Sequence, residues 1–120
     1  MNYKIKIRRG QFNLLNPNVM KINHWIAIYD KDSKKPCKVL NVDTDDGEYL
    51  FSENAEPIEI ADGLETYLNS LCFTTQREEI KDMIKFLKEH SEELLKSKLE
   101  KELKDLEKRK EEIIKRLNNL

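Results

Sequence analysis

The stretch LEKELKDLEKRKEEIIKRLNNL, residues 99–120, decides how this chain is divided. Its apolar residues recur in 4–3 steps at Leu99, Leu103, Leu106, Ile113, Leu117 and Leu120, with Lys110 filling the one position where the pattern asks for another apolar side chain. A repeat of that spacing is a heptad seam, with Leu103, Lys110 and Leu117 at a and Leu99, Leu106, Ile113 and Leu120 at d. Acid-to-base pairs four residues apart support a helix: Glu92–Lys96, Glu100–Lys104, Asp105–Arg109, Glu111–Lys115 and Glu112–Arg116. Each contributes about 0.2–0.5 kcal/mol, and together they favour helix over coil. A lone helix would leave this leucine stripe in water. The seam therefore needs a second copy, another protein, or the preceding helix folded back as a hairpin, and a homodimer is the first expectation. Lys110 at an a position restricts register or oligomeric state. A parallel dimer sets Glu102 against Glu107 of the other chain, whereas an antiparallel one brings Glu102 toward Arg109 or Arg116.

Upstream, the helical pattern reaches back to Thr75. Thr75-Gln76-Arg77-Glu78 has the form of a capping box, in which hydroxyl and carboxylate each satisfy a free backbone N–H. No Gly or Pro follows before Asn118. Ile80, Ile84 and Leu87 form a second stripe, but its phase slips between Ser91 and Leu99. A kink near His90-Ser91 follows from that slip, and Ser91 could cap a separate helix. About 45 residues at 1.5 Å each would make a rod of roughly 67 Å, longer than a domain of about 70 residues is wide. Residues 75–120 are thus expected to form a long charged, coiled-coil-like helix or a helix pair.

Residues 1–73 read as a small β-rich domain. Tyr3, Ile5 and Ile7 alternate with Lys4, Lys6 and Arg8, which is the pattern of a half-buried strand. Asn16-Pro17-Asn18 marks a turn. His24–Tyr29 (HWIAIY) is a second strand, too apolar to be exposed on both faces, and Trp25 and Tyr29 read as core. Cys37–Val42 follows as a third strand. Asp43–Gly47 closes a hairpin, with Gly47 available for a positive φ. Glu48–Ser52 is a fourth strand and Pro57–Ile60 a short fifth. Asp62 and Glu65 can cap a helix over 63–72, whose Leu64, Tyr67, Leu68 and Leu71 would cover the sheet. The class is α+β: a small antiparallel barrel or curled sheet, SH3-like by preference, then the long helix.

Composition narrows the chemistry. Apolar and charged residues each make up 38% of the 120 residues, so the apolar share is low and the charged share high for a globular chain. The net charge of −1 conceals a strong asymmetry. Residues 1–42 hold nine Lys/Arg against two Asp/Glu, whereas residues 43–70 hold nine acids and no Lys or Arg. Cys37 and Cys72 lack metal-ligand spacing and suit a reducing, cytoplasmic setting. No window is apolar enough to span a membrane. The run Asp43–Glu48 resembles a calcium loop, but Gly47 falls one position early and Asn54 stands where the bidentate Glu belongs. His24 and His90 have no ligand-spaced neighbours, and a Cys37–His24 pairing is the sole arrangement suggesting a nucleophile. No catalytic, cofactor-binding or metal-binding residue is therefore expected. Lys4, Lys6, Arg8, Arg9, Lys31, Lys34, Lys35 and Lys38 could line one basic surface, interleaved with Tyr3, Phe12, Trp25 and Tyr29. Such a surface neutralises phosphates and stacks on unpaired bases.

From Asn18 to Phe73 the order Tyr49-Leu50-Phe51, Glu56-Pro57-Ile58-Glu59-Ile60 and Leu71-Cys72-Phe73 resembles small uncharacterised phage and prophage proteins of Bacteroidetes-type bacteria. In those, a short SH3-like barrel precedes a PIPLT segment and a helix ending in LGF; this chain has PIEIA and LCF, and the long helix lies outside the resemblance. The resemblance implies a non-enzymatic inhibitor of a host defence system, anti-CRISPR-like, binding a CRISPR nuclease or its guide RNA in the host cytoplasm. The residues themselves leave two further readings open. One is an RNA- or DNA-binding module using the basic surface; the other is a structural or assembly protein that self-associates through the seam.

Overall fold

A computed structural model of the chain describes residues 3–13, 20–45, 47–70 and 75–120. The fold is α+β: a curled three-stranded antiparallel sheet followed by three helices, the last of them long. The elements are β1 (Tyr3–Asn13), β2 (Met20–Asp30), β3 (Lys38–Thr44), α1 (Pro57–Ser70), α2 (Arg77–Glu89) and α3 (Ser91–Asn118). The strands lie in the order β1-β2-β3. Tyr3 pairs with Asp30 and Asn13 with Met20; Ile22 pairs with Thr44 and Ile28 with Lys38.

Alternation along each strand decides which side chains are buried. Ile22, His24, Ile26 and Ile28 of β2 point to one face and are fully buried. Leu40, Val42 and Thr44 of β3 join them, and Tyr3, Ile5 and Ile7 of β1 pack at the margin. Helices cover this face. Ile60, Ala61, Leu64 and Leu68 come from α1, and Ile80, Met83, Ile84 and Leu87 from α2. From α3 only Leu94 is fully buried.

Two expected strands are not formed. Glu48–Ser52 is irregular and Pro57–Ile60 is the first turn of α1, so the five strands behind the SH3-like barrel become three among the described residues. The fourth segment is a strap: Phe51 enters the core, and Leu50 donates its backbone N–H to His24 Nε2 at 3.1 Å. Gly47 does take a positive φ of 70°, but the turn it makes leads into this strap and not into a hairpin partner. The helix expected over 63–72 starts earlier because the cap is six residues upstream: Pro57 supplies a preset φ, and Glu59 Oε1 accepts from the Glu56 N–H at 2.9 Å.

Of the two forms expected for residues 75–120, a long helix or a helix pair, the chain takes the pair, broken at His90. The break falls where the hydrophobic phase slips. Tyr3 packs edge-on against Phe86 and His90, each with a centroid distance of 5.0 Å. Glu93 holds the corner, accepting from the Tyr3 N–H at 3.2 Å and contacting His90 Nδ1 at 3.2 Å. The caps differ from expectation by a residue. Gln76 and His90 occupy the N-cap positions of α2 and α3, without side-chain cap bonds. The Gln76 amide instead donates to the Asn41 carbonyl at 2.7 Å, tying α2 to β3. The expected turn at Asn16-Pro17-Asn18 and the segment Leu71-Cys72-Phe73 lie outside the described residues.

Gly63 sits inside α1, where glycine costs about 1 kcal/mol relative to alanine. Its reason is close approach: a Cβ there would lie 2.1 Å from the Leu50 carbonyl oxygen. The sign of a helix-propensity substitution should therefore reverse. Gly63→Ala is expected to destabilise the protein by about 1–3 kcal/mol, the usual range for overpacking, and urea unfolding followed by circular dichroism measures it.

Candidate nucleic-acid interface

The face of the sheet turned away from the helices is built by the other parity. Lys4, Lys6 and Arg8 of β1 stand across from Tyr29, Ala27 and Trp25 of β2. Val39 and Asn41 of β3 stand across from Ala27 and Trp25. No described helix covers this side. Ala27 is buried by its neighbours, Trp25 and Tyr29 are half-buried, and Val39 is 50% exposed. Lys6 Nζ lies 5.0 Å from the centre of the Tyr29 ring, and the Arg8 guanidinium lies 4.9 Å from the Trp25 ring. Both cations lean over aromatic faces, where the ring quadrupole attracts them.

The surface is polarised along the strands. Beyond Tyr29 and Lys4, the exposed β2–β3 loop carries Lys31, Lys34 and Lys35. At the other end the groups are amides and carboxylates. Asn23 Nδ2 donates to Asn41 Oδ1 and Asp43 Oδ1, both at 2.7 Å. Lys21 pairs with Asp45 at 2.9 Å, and that bond holds its ammonium above the usual range. Phosphates would find cations at one end and a carboxylate barrier at the other.

Six of the eight basic candidates thus lie on or beside the open face. Strand parity removes the other two. Arg9 points to the helix side: its Nη1 donates to the Phe51 carbonyl at 2.9 Å, its guanidinium lies 4.3 Å from the Tyr49 ring, and Glu53 is 3.5 Å away. It fastens the strap. Lys38 reaches Asp82 of α2 at 2.5 Å and leans over Phe86 at 5.4 Å. Trp25 and Tyr29, expected in the core, are on the open face instead. The signal was in HWIAIY itself, because a strand places alternate residues on opposite faces and only His24, Ile26 and Ile28 share the helix side.

The seam residues Leu99, Leu103, Leu106, Lys110, Ile113, Leu117 and Leu120 are all exposed. Among the described residues the last hydrogen bond from α3 to the body comes from Lys98, whose ammonium donates to the Asn54 carbonyl at 2.7 Å. From there α3 runs on to Asn118, about 30 Å at the helical rise, and this part does not fold back on α2 as a hairpin.

His24 and Cys37 are not brought together. Cys37 is exposed at the loop end with its N–H bonded to the Ile28 carbonyl at 2.8 Å. His24 is fully buried, with Nδ1 3.3 Å from the Val42 carbonyl. Nε2 accepts from Leu50, so Nδ1 carries the proton and the ring is neutral. Burial lowers the His24 pKa from its ordinary 6.5, and Arg9 adds to the shift against an opposing pull from the Val42 carbonyl. Burial raises the Tyr67 phenol, whose hydroxyl lies 3.4 Å from the Asp43 carbonyl.

Comparison with models of known families, with curated proteins and with solved structures finds no match to this chain. The site therefore rests on its own geometry.

A neutral buried histidine links stability to pH. Below 6.5 the unfolded chain takes up a proton at His24 that the folded chain refuses, so the unfolded state gains. Stability tied to this group is complete above pH 6.5 and is lost as pH falls below it. Thermal melts between pH 7.5 and 5 should show that decline, and His24→Gln, while less stable at pH 7.5, should show a shallower one.

Proposed function

We propose that this chain is a non-enzymatic binding protein and that the open sheet face takes an unpaired nucleic-acid strand. One observation carries the reading: the Trp25 and Tyr29 rings lie on an uncovered sheet face beside Lys6 and Arg8. Lys4, Lys6 and Arg8 neutralise phosphates along β1, and the loop lysines extend that track. The two rings offer platforms for bases. Their present cation caps are weak, about 0.5–1 kcal/mol each at exposed sites. Stacking of a base on such a ring contributes about 1–3 kcal/mol, enough to displace a cap while the released cation moves to a phosphate. Duplexes suit the face poorly, because paired bases present no free faces to the rings.

Of the targets implied by the phage-protein resemblance, this surface suits a guide RNA better than the nuclease that holds it. Inhibition of a host ribonucleoprotein would then proceed by capture of exposed RNA, and the protein would need no reaction of its own. No helix among the described residues is long and apolar enough to cross a membrane.

Fluorescence anisotropy with labelled single-stranded RNA and DNA, and with duplexes as competitors, tests the proposal. Unpaired strands should bind and duplexes should compete poorly. Reversing Lys4, Lys6 and Arg8 together to Glu should weaken binding strongly and, for the binding that remains at low salt, lower the log–log salt slope by about 2, at roughly 0.7 per phosphate contact. Trp25→Ala should weaken affinity about 5- to 150-fold, the equivalent of one stacked base. Lys85→Glu, on the far side in α2, should leave affinity unchanged. Absence of binding to any unpaired strand, or affinity indifferent to the triple reversal, would overturn the reading.

A further inference from the structure

We propose that residues 99–118 of α3 close against the same segment of a second copy as an antiparallel two-helix coiled coil, and that Lys110 selects this orientation. The inference stands apart from the nucleic-acid reading and rests on the geometry and charge order of α3. Leu103, Leu106 and Leu117 are 57%, 63% and 64% exposed in the single chain. The side of α3 that meets the body is the opposite one. Leu94, Lys98 and Lys101 hold f, c and f positions in the same heptad frame. Leu94 is buried and Lys98 bonds to Asn54; Lys98, Lys101, Glu102 and Asp105 border a groove of about 470 Å³ against Lys4–Ile7 of β1, and no a or d residue is part of its lining. A second helix can lie on the a/d side without displacing the first from its own body.

Charge order then chooses the direction. A parallel, in-register pair would put Lys110 against Lys110 inside one core layer, and Glu102 against Glu107 twice at the flanks. Two like-charged flanking pairs and a doubly cationic layer all oppose that arrangement. An antiparallel pair in the register with greatest overlap sets Leu99 against Leu117, Leu103 against Ile113 and Leu106 against Lys110, each twice, giving six layers. The g positions then bring Glu102 to Arg116 of the second copy, again twice. At the centre each Lys110 lies beside Glu107 of the second copy, so two lysines neutralise a Glu107–Glu107 approach. Arg109 meets its own counterpart there, and Asp105, one turn earlier on the same helix, is placed to pair with it. Lys110 interrupts the apolar seam in either orientation, but only in the antiparallel one does a carboxylate answer it.

Sedimentation equilibrium of the full chain tests this, with circular dichroism reporting that each variant stays folded. Every substituted residue is exposed in the single chain. The wild type should sediment at twice the chain mass, and Leu103→Glu should give the monomer. Arg116→Glu and Glu102→Arg should each weaken the dimer about tenfold, since each turns two attractive flanking pairs repulsive. The double variant, with both charges exchanged, should recover wild-type affinity. A wild type that stays monomeric, or a Leu103→Glu variant that stays dimeric, would overturn the proposal. So would tightening by Glu102→Arg together with indifference to Arg116→Glu, the signature of a parallel pair.

Discussion

The strap after β3 is held between the sheet and α1 at Leu50. Its N–H donates to His24 Nε2 at 3.1 Å, and its carbonyl lies where Gly63 alone leaves room. The bonds on either side repeat the arrangement. The Thr44 hydroxyl donates to the Glu48 carbonyl, and Arg9 donates to that of Phe51. Together they put the strap on one face of β2, and α1 and α2 must follow it there. An antiparallel sheet can keep its second face in water, and no described helix covers that face here. The site is what the strap leaves uncovered.

That dependence makes His24 a structural residue. A buried imidazole with partners on both nitrogens satisfies the polar groups of a strap that forms no ladder with the sheet. It also gives Gly63 its meaning. In a helix glycine is unfavourable on propensity alone, and at this position propensity yields to backbone contact. His24 and Gly63 are far apart in sequence and meet through one residue, Leu50, whose own side chain is only half-buried.

Local periodicity was legible in the sequence where it was strong. The alternation of Tyr3, Ile5 and Ile7 with Lys4, Lys6 and Arg8 placed β1 with the correct faces, and the phase slip after Ser91 marked the break between α2 and α3. Elements defined by tertiary contact were not legible. Glu48–Ser52 has the composition of a strand, and hydrogen bonds with the side chains of Thr44, His24 and Arg9 make it a strap. Asp62 and Glu65 have the form of a cap, but Pro57 and Glu59 start the helix earlier. Arg9 and Lys38 belong to the basic run by composition and leave it by parity, because neighbours in a strand face opposite ways. Trp25 and Tyr29 were hardest: aromatic residues in an apolar run read as core unless the strand's period is followed through it.

Binding of an unpaired strand at the open face would proceed by stacking on its rings. Trp25 is the only tryptophan of the chain, so its emission reports that face without a label. The decisive measurement is a titration of Trp25 fluorescence with an unlabelled single-stranded RNA at two salt concentrations. Stacking on Trp25 should give saturable quenching whose midpoint moves to higher RNA concentration as salt rises. Emission that does not change at RNA concentrations where the strand is demonstrably bound would contradict it, because the strand would then lie elsewhere on the protein.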